Sequence, residues 1–301
     1  MGNRVGKSGS FSVVRTDARE TPRSARPRTR TVAVVSGKGG VGKTTLVANL
    51  GIALHREGCK VLVVDGDLGM ANVDVLFGLI PKWTLHNLVL GERTAEEILI
   101  RTTDGIHLMP GASGVEEMAN LDELRCERLL RSIAAVEDGM DLILIDTAPG
   151  IHRATTHLAR AADEIVIVTT PEPTSWADAY ATLRALRKRG TSAEPWLVVN
   201  QARDAYEARA TMARIRETSL RFLSVTPRFL GYVLEDPAVV TAVRRQEPFM
   251  RLYPNCPAAS CVEALAQRLI APTDPEEGIA PFDPDEREDR DPFVSGHRAR
   301  A

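Results

Sequence analysis

Thr31-Val32-Ala33-Val34-Val35-Ser36-Gly37-Lys38-Gly39-Gly40-Val41-Gly42-Lys43-Thr44-Thr45 begins as an unbroken apolar run and turns abruptly glycine-rich. Residues 37–44 match G-x-x-x-x-G-K-[ST], with a strand-like run before them and a helical pattern, Lys43–Arg56, after them. Glycines let the backbone curl so that successive N–H groups point at phosphate oxygens, and the helix N-terminus adds a favourable dipole. Gly37, Gly39, Gly40, Val41, Gly42, Lys43, Thr44 and Thr45 are therefore candidate nucleotide-binding residues. The motif assigns Lys43 to the β- and γ-phosphates and the Thr44 hydroxyl to Mg²⁺.

Beyond this loop, short apolar runs recur at a regular beat. After 31–36 they fall at 60–65, 105–110, 141–146, 164–169, 195–200 and 229–234. Most are unbroken, as strands buried on both faces of a parallel sheet should be. Helical patterns at 43–56, 121–135, 175–189 and 204–220 separate most of them. This alternation predicts an α/β fold, a doubly wound, mostly parallel sheet flanked by helices, with ligands at the carboxyl ends of the strands.

Composition bounds the rest. The chain has 301 residues, is 44% hydrophobic and 26% charged, and has a net charge of −2. That small number hides an asymmetry. Residues 1–31 carry eight Lys/Arg against two acids, and residues 271–301 carry nine acids against four arginines. The middle is left at −3. We expect a basic arm over 1–30, a folded domain over 31–270 and an acidic tail over 271–301, both ends disordered by composition. No run reaches the ~18–20 apolar residues of a membrane span. The basic N-terminus lacks the apolar segment of a secretory signal, and the four cysteines (Cys59, Cys126, Cys256, Cys261) read as ordinary thiols. A cytoplasmic location is expected.

Two further runs end in carboxylates: Val63-Val64-Asp65-Gly66-Asp67 and Leu144-Ile145-Asp146-Thr147-Ala148-Pro149-Gly150. A carboxylate at the end of an apolar strand is costly to bury without a cation or hydrogen bonds, although an Asp there can also simply cap a helix. Asn200 ends the run Leu197-Val198-Val199, where a side-chain amide can both donate to and accept from a base edge, or form a turn.

The loop Lys38-Gly39-Gly40-Val41-Gly42-Lys43-Thr44-Thr45, with its second lysine, resembles the deviant Walker A motif of the MinD/ParA family of ATPases. The resemblance implies that Lys38 crosses a dimer interface to the other subunit's nucleotide, acting as an arginine finger does. It places Asp67 in switch I, positioning the attacking water, with Asp65 supporting the Mg²⁺ shell. Asp146 would hold Mg²⁺ through water, Gly150 would let switch II sense the γ-phosphate, and Asn200 would contact adenine. The segment 231–237, ending at Pro237, would border the base. Catalytic roles then fall to Lys38, Lys43 and Asp67, metal roles to Thr44, Asp65 and Asp146, and the cofactors are ATP and Mg²⁺. The protein would be monomeric without ATP and a homodimer with it, hydrolysing slowly until a partner acts.

Within that family, Asp67–Asp74, Pro110–Gly114, Met118–Leu121, Thr170–Ser175 and Glu235–Val239 look like the FlhG/FleN regulators of flagellar number. That branch implies a protein partner such as an FlhF-like GTPase or a flagellar component. Both ends depart from its pattern. Residues 1–30 contain no Asp-Gln-Ala motif, and the last helical stretch, 259–270, runs into Pro-Thr-Asp-Pro-Glu-Glu. We expect that helix to pack on the domain, leaving membrane association weak or indirect. The alternative is a ParA-like partition ATPase whose arginines, from Arg203 to Arg221 and at Arg244 and Arg245, bind DNA nonspecifically; interrupting acids disfavour it.

Overall fold

Alternate residues of the buried strands fill two separate apolar cores. On β2 (Val61–Gly66), Val61 and Val63 join one core and Leu62 and Val64 the other. On β5 (Leu142–Thr147), Leu142 and Leu144 divide from Ile143 and Ile145 in the same way. Successive side chains of a strand point to opposite faces, so an unbroken apolar run is what a sheet covered on both sides requires.

A computed structural model describes residues 28–114, 123–191 and 195–270. The remaining strands are β1 (Arg30–Val35), β3 (Ile100–Arg101), β4 (His107–Met109), β6 (Glu164–Thr169), β7 (Trp196–Ala202) and β8 (Arg228–Leu234). They form an eight-stranded sheet in the order β3-β4-β2-β5-β1-β6-β7-β8, parallel except for the antiparallel β3–β4 pair. The helices described are α1 (Lys43–Arg56), α2 (Val73–Leu76), α3 (Leu85–Leu90), α4 (Ala95–Ile98), α5 (Glu123–Ala134), α6 (Arg153–Ala161), α7 (Pro173–Lys188), α8 (Ala205–Leu223), α9 (Pro237–Arg244), α10 (Phe249–Leu252) and α11 (Pro257–Ile270).

The doubly wound expectation holds. From β1 the chain crosses by α1 to β2 on one side, while β6 and β7 extend the sheet on the other. Such a reversal opens a crevice at the carboxyl ends of the strands. The loop after β1 sits there, with β5 inserted between β1 and β2.

Two points differ from the sequence expectations. The edge strand β3 has no counterpart among the expected runs, because two residues carry no periodicity. Arg30, expected in the arm, is the first residue of β1: its guanidinium bonds Glu164 and donates to Leu269 O at 2.9 Å. Residues 1–27 and 271–301, the bulk of the two charged ends, lie outside the described residues, as do 115–122 with Met118–Leu121. Helix α11 packs on α1 and β8 with Val262, Leu265, Ala266 and Leu269 fully buried, so its apolar face is occupied by the domain. No helix among the described residues is long and apolar enough to cross a membrane.

Candidate functional site

The loop after β1 is shaped by two glycines that cannot be replaced without displacing neighbours. A Cβ on Gly37 would lie 2.4 Å from the backbone oxygen of Asp178, so α7 packs directly on the loop. Gly42 has φ +81°, and a Cβ there would lie 2.4 Å from Asn200 Nδ2. Gly42 is also the N-cap of α1, which has no side-chain cap and no acid in its first turn. Its first N–H groups and its dipole are thus left for an external anion.

Lys43 Nζ donates to Asp146 Oδ1 at 2.5 Å, with the two side chains 6% and 0% exposed. Asp146 pairs in register with Val34 on one side and with Asp65 on the other. Burial pushes the Asp146 carboxyl above its ordinary range; the Lys43 charge and hydrogen bonds from Lys43 and Thr44 oppose this, and Asp67 adds to it. Asp65 is raised to about 8, by burial first and by the Asp146 charge second, against three backbone hydrogen bonds. Of these two neighbouring buried carboxyls, Asp146 is the one bonded to the buried Lys43 ammonium. Asp146 Oδ2 has no hydrogen-bond partner among the described residues, a costly state for a buried oxygen.

These features fit a Mg²⁺ ion. The donor set is a carboxylate oxygen without a partner and the Thr44 hydroxyl beside it. No group of three or more His, Cys, Asp or Glu among the described residues could cage a metal alone. Mg²⁺ commonly completes its shell with water and substrate phosphates instead.

Asp65 holds a neighbouring loop through its carboxylate oxygens. Its Oδ1 accepts from Asp67 N at 3.3 Å, and its Oδ2 accepts from Asn72 N and Val73 N, both at 2.9 Å. It thus anchors the loop that carries Asp67. Asp67, partly exposed, accepts from Met70 N at 3.1 Å. A second loop clamps the same segment: Ser113 Oγ donates to Ala71 O at 2.5 Å, and Gly114 N to Gly69 O at 3.2 Å. Gly111 has no room for a side chain, since a Cβ would lie 2.5 Å from Ala71 Cβ. In the sequence, residues 110–114 carry only a family resemblance, and no local pattern announces this clamp. Gly150 has φ +85°, and its N–H donates to Ser36 O at 2.8 Å, tying the β5–α6 turn to the start of the phosphate loop.

Lys38 is paired outside the cradle. Its Nζ donates to Glu172 Oε2 at 2.8 Å and to Thr174 Oγ1 at 3.4 Å, in an ion pair whose side chains are 42% and 63% exposed. Glu172 caps α7, and its 134-residue separation from Lys38 leaves no local signal in the sequence. An exposed pair of this kind contributes at most about 1 kcal/mol, so it is readily exchanged.

Beside Gly42 and Thr45 opens a cleft of about 470 Å³, walled by Asn200, Val233, Val239, Val243 and Val262, with Asp236 and Arg244 among its polar groups. Asn200, 9% exposed, donates to Val41 O at 2.7 Å, so it both lines the cleft and braces the loop. Pro237 opens α9 and lines an adjoining depression with Arg203 and Glu235 rather than the cleft itself. Asp236 accepts from Ala238 N at 2.8 Å and from Ala258 N at 3.2 Å, joining the starts of α9 and α11. An apolar slot next to a phosphate cradle suits a nucleotide base.

Comparison with known proteins agrees with this geometry. A family model described as an AAA domain matches residues 29–192. The chain is 35% identical over 238 residues to the antiactivator FleN of Pseudomonas aeruginosa, covering 79% of this chain and 85% of FleN. It is 31% identical over 261 residues to the flagellum site-determining protein YlxH of Helicobacter pylori, covering 84% and 88% of the two chains. The septum site-determining protein MinD of Pyrococcus horikoshii, solved in complex with Mg-ADP, superposes with a TM-score of 0.68 at 27% identity, covering 80% of this chain and 96% of that one.

Proposed function

The chain belongs to the MinD/ParA family of P-loop ATPases and shares its FlhG/FleN-type motifs, and from that premise we propose that it is an ATP-driven association switch that positions or counts a cellular structure. ATP converts a monomer into a homodimer with both nucleotides at the interface, and hydrolysis to ADP and phosphate returns the monomer. The roles of these relatives, antiactivator and flagellum site determination, support a flagellar setting.

The observation that carries this reading is the contrast between the two loop lysines. Lys43 is buried and paired with Asp146, which suits it to the phosphates of its own subunit's nucleotide. Lys38 is held outward in an exposed pair with Glu172, free to exchange that partner for a phosphate of a second subunit. A cation delivered in trans stabilises charge developing on the transferred phosphoryl group, which makes turnover depend on dimerisation. Asp67 orients the attacking water, and Asp65 holds the Asp67 loop in place. Asp146 and Thr44 hold Mg²⁺, which when bound offsets phosphate charge. Gly150 reports the γ-phosphate to α6. The base occupies the cleft beside Asn200, with Pro237 at its margin.

Hydrolysis is slow alone and awaits a protein partner, an FlhF-like GTPase or a flagellar component, through which any membrane contact is made. The action is cytoplasmic. The DNA-partition reading gains nothing from Arg203, which is bound by Glu207 at 2.7 Å. Light scattering of the purified chain with ATP tests the proposal. Lys38→Ala should remain monomeric and lose turnover, and Asp67→Ala should dimerise without turnover. A Lys38→Ala protein that dimerises and hydrolyses normally sinks the reading.

A further inference from the structure

Helix α6 follows the Gly150 turn and carries Arg153, His157 and Arg160 at i, i+4 and i+7, which puts them on one side of the helix. With Thr156 and with Arg189, just past the end of α7, they line a second cleft of about 360 Å³. Arg189 is fixed: its guanidinium donates to Thr156 Oγ1 and, at 3.5 Å, to Ile151 O. No carboxylate lines the cleft, and Arg153, His157 and Arg160 have no hydrogen bond or ion pair, among the described residues. Among the described residues, three guanidinium groups therefore stand together with no carboxylate lining the cleft beside them. Their planar forks match carboxylates in geometry as well as charge.

We propose that this cleft receives the acidic C-terminal segment of the same chain, residues 274–291. That segment holds nine acids against two arginines. Its point of departure is close to the foot of α6. Arg30 donates to Leu269 O at the end of α11 and is also bonded to Glu164, three residues beyond the last residue of α6. Extended chain spans at most about 3.5 Å per residue, so four residues from Ile270 bring Asp274 roughly 14 Å along, and Asp291 reaches far beyond α6. Tethering gives the segment an effective concentration in the mM range, enough for weak contacts to be populated. The basic residues 1–27, which precede β1 in the chain, are the rival partner. The cleft differs in presenting Arg153 and Arg160 on a helix beside the hydrogen-bonded Arg189, so less ordering is needed to bind. The docked segment covers the helix that follows switch II, and salt or a more acidic partner displaces it.

Arginine-selective modification by phenylglyoxal, mapped by mass spectrometry on the full chain, tests this. The parent is compared with a variant in which the nine acids of 274–291 are replaced by their amides (Asp→Asn, Glu→Gln). At low salt, Arg153 and Arg160 should react about fivefold more slowly in the parent, the ratio for roughly four-fifths occupancy. Moderate salt should erase the difference. Arg214, exposed on α8, should react alike in both proteins. Equal rates at Arg153 and Arg160 overturn the proposal. So does protection that moves to the arginines of residues 1–27, which would make the arm the partner. The substitutions lie outside the described fold, so a change confined to α6 cannot be ascribed to unfolding.

Discussion

Asp236→Ala should loosen the wall of the base cleft by uncapping two helices at once. Asp236 Oδ1 accepts from Ala238 N at 2.8 Å in the first turn of α9, and Oδ2 accepts from Ala258 N at 3.2 Å in the first turn of α11. Losing an N-cap costs about 1 kcal/mol, within a range of roughly 0.5–2. Losing a second partly buried bond costs about 1 kcal/mol more. The apo protein should therefore lose about 2 kcal/mol, read as a lowered midpoint in urea unfolding followed by circular dichroism. Asp236→Asn keeps one acceptor oxygen and should lose about half of that. Both helices contribute to the cleft, through Val239, Val243 and Arg244 on α9 and Val262 on α11. If most of the loss is felt in the cleft, a fluorescent ATP analogue should bind about tenfold more weakly to the alanine variant. Destabilisation of Asp236→Ala below about 0.5 kcal/mol, or equal to that of Asp236→Asn, would refute the double-cap account.

Two other outcomes follow from the phosphate loop. Gly42→Ala should cost about 1–2 kcal/mol for a side chain in the left-handed region and should push Asn200 off Val41 O. Nucleotide titration of that variant should show a loss of about tenfold or more, with the circular dichroism spectrum retained. Chelating Mg²⁺ should lower the melting temperature of the ADP-bound protein, and in Asp146→Asn the chelator should make no difference; a chelator effect that persists in that variant would move the metal to other ligands.

Much of the fold is legible in runs of neighbouring residues. The patterns at 43–56 and 164–169 coincide with α1 and β6 to the residue, because strand burial and helix periodicity are written in adjacent side chains. The same holds for the glycine loop, whose function depends on consecutive backbone N–H groups. What the sequence conceals depends on distant partners. Asp65 ends an apolar run, and nothing local records that its oxygens accept from backbone N–H groups as far as eight residues downstream. Arg153, His157 and Arg160 form no recognisable motif along the chain. The cationic side of α6 emerges once Arg189, from beyond another helix, closes the cleft.

By itself the sequence determined the strands, the phosphate loop and the uneven charge of the two ends, since each is a property of contiguous residues. The tertiary structure alone decided which of these meet. Inserting β5 between β1 and β2 sets Asp146 in register with Asp65 and against Lys43, and so buries a carboxylate oxygen that has no partner among the described residues. Packing α11 on α1 and β8 returns Leu269 to Arg30, which brings the start of β1 and the end of α11 together. Strand order and helix packing bring together residues more than a hundred positions apart, and no local pattern records that.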